Sequence, residues 1–111
     1  MFEKDLHIGY LLDFYGELLT ERKRSVMEMY YNEDFSLAEI ADEIHISRQG
    51  VRDIIKKSQE ELCFYEEKLG LAKKMKLVED YSDALSSLTE KYNLPQEIRN
   101  HILLLSQEIK K

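Results

Sequence analysis

Tryptophan is absent from this sequence, and in 111 residues proline and cysteine occur once each and glycine four times. So little turn punctuation leaves few reversals for a many-stranded sandwich or barrel. The single Cys63 has no internal disulfide partner. Its helix-patterned neighbours predict a packed thiol in a protein of the reducing cytoplasm. No uninterrupted apolar run exceeds that of Ile102–Leu105, far short of the roughly 18–20 residues of a membrane span. The opening MFEKDL has no basic stretch leading into an apolar one, so secretion is not expected. Gly9, Gly16, Gly50 and Gly70 stand singly, which excludes a glycine-rich phosphate loop. His7, His45 and His101 are far apart, and neither HExxH nor CxxC spacing occurs. Cys63 lacks a nearby histidine that would make it a nucleophile. Carboxylate pairs such as Glu60–Glu61 and Glu66–Glu67 read as solvated helix faces. The expectation is no enzyme, with no catalytic residue, cofactor or metal.

What the chain does have is charge and helical periodicity. Charged residues make up 34% and apolar ones 43%, the balance of a globular and strongly charged protein. Its size is that of one small domain with enough core to dispense with disulfides and metals. The net charge of −6 opposes non-specific attraction to nucleic acid by the molecule as a whole. The charge is unevenly spread, however. Between Ser47 and Lys57, Arg48, Arg52, Lys56 and Lys57 face Asp53 alone, a local excess of three positive charges in an acidic chain. That asymmetry is the first functional hint.

Ile8, Leu11, Leu12, Tyr15, Leu18 and Leu19 recur at three- and four-residue steps and predict an amphipathic first helix capped by Asp5. Thr20 caps a second, with Val26, Met29 and Tyr30 facing inward and Tyr30–Tyr31 divided between core and surface. Residues 32–35 read as a loop. Ser36-Leu37-Ala38-Glu39 then forms a capping box, with Phe35 and Ile40 as its hydrophobic staple. The staple recurs around Ser47, between Ile46 and Val51. Two helix starts eleven residues apart, joined by a tight turn at Ile44–Ile46, make a helix-turn-helix. No stop follows Ser47 until Gly70, so the second helix of the pair runs about six turns. Val78, Tyr81, Leu85, Leu88 and Tyr92 continue the spacing, Asn93-Leu94-Pro95-Gln96 restarts the chain with Asn93 as cap, and Ile98, Ile102, Leu105 and Ile109 close the pattern.

A helix-turn-helix needs a small residue where its helices cross and apolar residues around it. Ala41 fills the crossing, flanked by Ile40 and Ile44, with Ile46 in the turn and Val51 and Ile54 on the second helix. The turn calls for positive φ, a position that His45 can hold at modest cost. With Val51 and Ile54 inward, the outward residues include Ser47, Arg48, Gln49, Arg52, Asp53 and Lys56. Arg48, Arg52 and Lys56 fall at i, i+4, i+8 in one basic stripe. Arginine pairs with guanine, glutamine with adenine, and serine or lysine with phosphate. The candidate nucleic-acid-binding residues are therefore Ser47, Arg48, Gln49, Arg52, Lys56 and Lys57. Gly50, a poor helix former, is expected where a neighbouring helix or a nucleic-acid backbone approaches. A solvated or protein-binding face remains the alternative for the same helix.

Residues 13–57, DFYGELLTERKRSVMEMYYNEDFSLAEIADEIHISRQGVRDIIKK, closely resemble the YlxM family of small bacterial helix-turn-helix proteins. The LLT, YY-x-x-D, SLAEIA and SRQ-x-V-x-D segments stand at Leu18–Thr20, Tyr30–Asp34, Ser36–Ala41 and Ser47–Asp53. The core motif is also similar to region 4 of sigma factors, where a SLAEIA-like helix precedes a recognition helix that starts with SR. Two departures stand out: His45 where the family commonly has glycine, and Arg52 where an aromatic is frequent. The resemblance implies a cytoplasmic DNA-binding regulator, linked by genetic neighbourhood to the signal recognition particle (SRP) pathway and its targeting GTPases.

The expected fold is all-α, five or six helices in a single domain 1–111. It would have a sigma-region-4-like helix-turn-helix core at about 20–69, a long recognition helix, and a helical extension from about 70 to 111. DNA is the expected partner. An SRP GTPase or SRP RNA is the alternative, and no membrane is involved. The apolar seams beyond Gly70 suit either antiparallel packing or a homodimer, which would offer two recognition helices to half-sites about 34 Å apart.

Overall fold

The computed structural model describes residues 4–111. Residues 1–3, which open the stretch read for a secretion leader, lie outside the described residues. Among the described residues the secondary structure is all helical, with six α-helices and no strand. They are α1 (Leu6–Tyr15), α2 (Glu21–Tyr31), α3 (Leu37–Ile44), α4 (Arg48–Leu69), α5 (Leu71–Lys91) and α6 (Gln96–Ile109). The chain divides into two compact units, residues 1–72 and 73–111.

In the first unit α1, α2 and α3 all pack on α4. The α4 core face is Val51, Ile55, Ser58 and Leu62, at steps of four, three and four. Ser58 is fully buried yet satisfied, its hydroxyl donating to the Ile54 carbonyl at 2.7 Å. Ile55, not Ile54, is therefore the buried partner of Val51, and Ile54 packs half-buried at the margin. From α1 come Ile8, Leu11, Leu12 and Tyr15; from α2, Val26, Met27, Met29 and Tyr30. Tyr31 stays half-buried and accepts a hydrogen bond from Gln59 Nε2 at 2.9 Å, tying α2 to α4. Burial raises the Tyr31 phenol above its ordinary pKa. The Lys23–Glu61 ion pair makes a second tie between the same helices.

The caps of α1 and α2 form as their sequences predict. Asp5 accepts from the His7 N–H at 2.9 Å, and Thr20 Oγ1 from the Lys23 N–H at 3.3 Å. The first helix is shorter than its periodicity predicts. After Tyr15 the backbone tightens into one 3-10 turn, Gly16–Leu18. At three residues per turn the helical stripe falls out of phase, so Leu18 is 55% exposed while the extended Leu19 turns into the core.

At the far end of α4, Gly70 adopts φ 62° and its N–H returns to the Glu66 carbonyl at 2.9 Å. The first N–H groups of α5 are satisfied from other helices. The Leu71 N–H donates to Tyr15 Oη at 3.0 Å, and the Ala72 N–H to Glu66 Oε1 at 3.1 Å. The Tyr15 hydroxyl itself donates to that carboxylate oxygen at 2.7 Å. Glu66 is thus half-buried and bonded rather than part of a solvated face. Burial, and then the bond to Glu66, hold the Tyr15 phenol above its ordinary pKa.

The second unit holds most of α5 and all of α6. Asp83 and Lys110 form an ion pair across it at 3.2 Å. The α6 cap differs from the expected Asn93: Pro95 occupies the N-cap position and makes no side-chain cap bond. Proline fits here because the first helical turn does not need its missing N–H.

Candidate nucleic-acid interface

The site is built by two helix starts and the turn between them. Ser36 Oγ accepts from the Glu39 N–H at 3.1 Å, and the Glu39 carboxylate accepts from the Ser36 N–H at 3.0 Å. Both arms of the capping box are therefore made. The backbone donor first, and the Ser36 hydroxyl second, hold the Glu39 carboxyl below its ordinary pKa. Just before this cap, Asp34 has φ 59° and pairs with Lys4, which lowers the Asp34 pKa.

His45 ends α3 at φ 60° and ψ 46°, the left-handed conformation the turn requires. Its N–H returns to the Ala41 carbonyl, as does the Ile46 N–H at 3.1 Å. Ile40 and Ala41 are buried at the crossing, with Ile44 and Ile46 packed against the core. Ser47 then caps α4, its Oγ accepting from the Gly50 N–H at 2.9 Å. A Cβ on Gly50 would meet Ile46 Cδ1 at 3.2 Å and Ser47 Oγ at 3.3 Å. Within the protein, the close approach at Gly50 is therefore made by the turn and cap of its own motif rather than by a neighbouring helix.

All six residues predicted for nucleic-acid contact are exposed. Arg48, Arg52 and Lys56 stand one above another on the outer face of α4, about 6 Å apart along the axis. Gln49 is held: its Nε2 donates to Asp53 Oδ1 at 3.0 Å, one turn further on. Asp53, expected on the outward face but given no contact of its own, is thus a member of the constellation, and the i, i+4 spacing of Gln49 and Asp53 was the available signal. Lys57 is not brought into the stripe. It lines a groove between α2 and α4 with Lys23, Glu61, Phe64 and Tyr65.

The supporting helix carries the opposite charge. The charged side chains of α3 are Glu39, Asp42 and Glu43, all exposed, and it has no basic residue. In helix-turn-helix docking the first helix crosses the phosphate backbone while the second enters the major groove, so the α3–α4 pair offers its cations from α4 alone. Cys63 is also exposed rather than packed, because it lies beside Leu62 on α4 and one residue rotates about 100° off the buried stripe. Among the described residues no cluster of histidine, cysteine, aspartate or glutamate is arranged to hold a metal ion. Nor is any helix long and apolar enough to cross a membrane.

Comparison with known proteins agrees with this architecture. Residues 2–105 match the family model UPF0122, described as "Putative helix-turn-helix protein, YlxM / p13 like". A UPF0122 protein of Listeria innocua is 44% identical over 101 residues, covering 90% of this chain and 92% of its own. A UPF0122 protein of Clostridium kluyveri is 43% identical over 108 residues, covering 91% and 96%. One from Bacillus licheniformis is 49% identical over 88 residues, covering 79% and 82%. With the helix-turn-helix in place and the match running nearly end to end, the chain belongs to the UPF0122 family of YlxM/p13-like helix-turn-helix proteins.

Proposed function

We propose that this protein is a cytoplasmic DNA-binding regulator that inserts the N-terminal half of α4 into the major groove. Arg48, Gln49 and Arg52 reach base edges, while Ser47, Lys56 and Lys57 meet phosphates. The observation that carries the reading is the exposed Arg48–Arg52–Lys56 stripe at the start of a helix whose angle is set by a completed capping box and a left-handed turn. Selection from a random duplex-DNA pool at two salt concentrations tests it. A specific site is enriched, and Arg48→Ala weakens binding to that site by about 1–3 kcal/mol and relaxes preference at one base pair. Equal affinity for Arg48→Ala and the parent would remove Arg48 from the interface.

The acidity of α3 favours a second reading, in which the same unit is an accessory module for a GTPase of the signal recognition particle pathway. Glu39, Asp42 and Glu43 would repel phosphates where the supporting helix crosses them, but would suit a basic protein surface. Particle RNA added to the selection distinguishes the remaining case. Retention of that RNA with steep salt dependence places the protein on the particle, and binding to neither nucleic acid points to the GTPase.

A further inference from the structure

The second unit is built the wrong way round for a structure that stands alone. Among residues 73–111 no large apolar side chain is buried, and Ser82 is the one buried residue. No residue of α6 is buried. On α5 the least exposed positions include the small residues Ser82, Ser86 and Thr89, while Tyr81 is 71% and Tyr92 54% exposed. On α6 Leu103, Leu104 and Leu105 are all more than half exposed. A 14-residue helix with no fully buried residue, only Arg99, Ile102, Ser106 and Ile109 half-buried, is marginal in water, since most helical stability in proteins comes from a packed apolar face. The sequence nonetheless encodes such a face on both helices. Val78, Tyr81, Leu85, Leu88 and Tyr92 step by three and four residues, as do Ile98, Ile102, Leu105 and Ile109. This is the seam spacing of bundled helices.

We infer that the α5–α6 face of a second copy of this chain covers these residues, so that two hairpins pack into a four-helix bundle. Three features select a second copy as the occupant. The area is adequate: nine large apolar side chains between Leu77 and Leu105, each about half exposed, present on the order of 800 Å², one partner's share of a standard interface. The charge permits self-association: residues 73–111 hold seven basic and six acidic groups, a net of +1, against nine and sixteen, a net of −7, in residues 1–72. Like units can therefore meet through the C-terminal hairpin without the repulsion that two N-terminal units would feel, and a near-neutral face attracts neither nucleic acid nor a strongly charged protein. Finally, both helices carry apolar seams with the three- and four-residue steps of bundle cores, and a two-fold contact uses one and the same patch on each copy. The assignment holds whatever α4 binds.

Sedimentation velocity of the full chain across a hundredfold concentration range tests the inference. The parent is expected to sediment at twice its 13.2 kDa mass. Leu88→Glu and Leu104→Glu are expected to sediment as monomers, whereas Phe64→Glu, which alters an exposed aromatic of the first unit, stays dimeric. A spin label on Leu103→Cys in a Cys63→Ser background gives a second reading that needs no destabilising change. A defined intermolecular distance is expected, because residue 103 of each copy lies at the bundle. A parent that remains monomeric throughout, a dimer that survives both glutamate substitutions, or labels with no intermolecular coupling would overturn the proposal.

Discussion

At the scale of single residues, the reading face is defined by which side chains are already held before any ligand arrives. Asp53 takes one amide hydrogen of Gln49 and leaves the other hydrogen and the carbonyl oxygen free. That is the donor and acceptor pair that matches adenine N7 and N6. Asp53 also places a negative charge beside Arg52 and one turn from Lys56. Its two effects act in opposite directions on binding, so they can be separated. Asp53→Ala is expected to tighten binding to arbitrary duplex DNA several-fold by removing a like charge near phosphates, while lowering preference at the base facing Gln49 by about 1 kcal/mol. Asp53→Asn keeps an acceptor for Gln49, so it should tighten binding and retain the preference. Competition titrations with site and non-site duplexes measure both quantities. Loss of preference in Asp53→Asn equal to that in Asp53→Ala would show that the tether contributes nothing.

At the scale of elements, the helix-turn-helix was legible because its signals are local. A cap and a box involve residues three apart, and their geometry follows once the helix starts, so Ser36, Glu39 and Ser47 act as their spacing predicts. The left-handed His45 was legible for the same reason, a tight turn permitting few backbone conformations. Features decided by which face meets the core were not. Ile55 replaces Ile54 as the buried residue, Cys63 turns outward and Leu18 is carried out by a 3-10 turn, because several phases of an apolar stripe fit these segments and only packing on α4 selects one. The Tyr15 arm of the α5 cap spans 56 residues in sequence and leaves no local trace, whereas the Glu66 arm spans only six. The legible part makes a prediction of its own. Ser36→Ala removes the hydroxyl arm of the box and should cost about 1 kcal/mol in thermal or denaturant unfolding. Because Glu39 is held below its ordinary pKa by the Ser36 N–H and hydroxyl, its stabilisation is complete above the unfolded value and is lost as pH falls through the depressed folded one. Glu39→Gln retains an acceptor without a titrating group, so its unfolding should lose this part of the acid dependence. Identical acid profiles for parent and Glu39→Gln would show that the carboxylate arm contributes nothing.

At the scale of the whole molecule, charge and assembly combine into one measurable quantity. A net charge of −6 lowers the affinity for any polyanion, so a single basic stripe on α4 is a weak reader. Pairing two copies through the near-neutral hairpin would double the number of basic helices without bringing the acidic units together as the contact surface. Counterion release counts these helices directly, since log K falls with log salt at about −0.9 for each phosphate neutralised. Lys56 and Lys57 alone, or with Arg48 and Arg52 also near phosphates, give a slope of about −2 to −4 for one copy, and the two-headed form doubles it. The ratio is more informative than either value. Leu104→Glu leaves α4 untouched, so on a two-site duplex its slope should be half that of the parent, while on a single half-site the two proteins should give the same slope. Fluorescence anisotropy between roughly 50 and 200 mM salt resolves such a difference. Equal slopes on both duplexes would mean that one copy binds at a time and the hairpin contact plays no part in recognition. A parent slope near zero would remove phosphate from the interface and leave the acidic α3 face and a protein partner as the function of this fold.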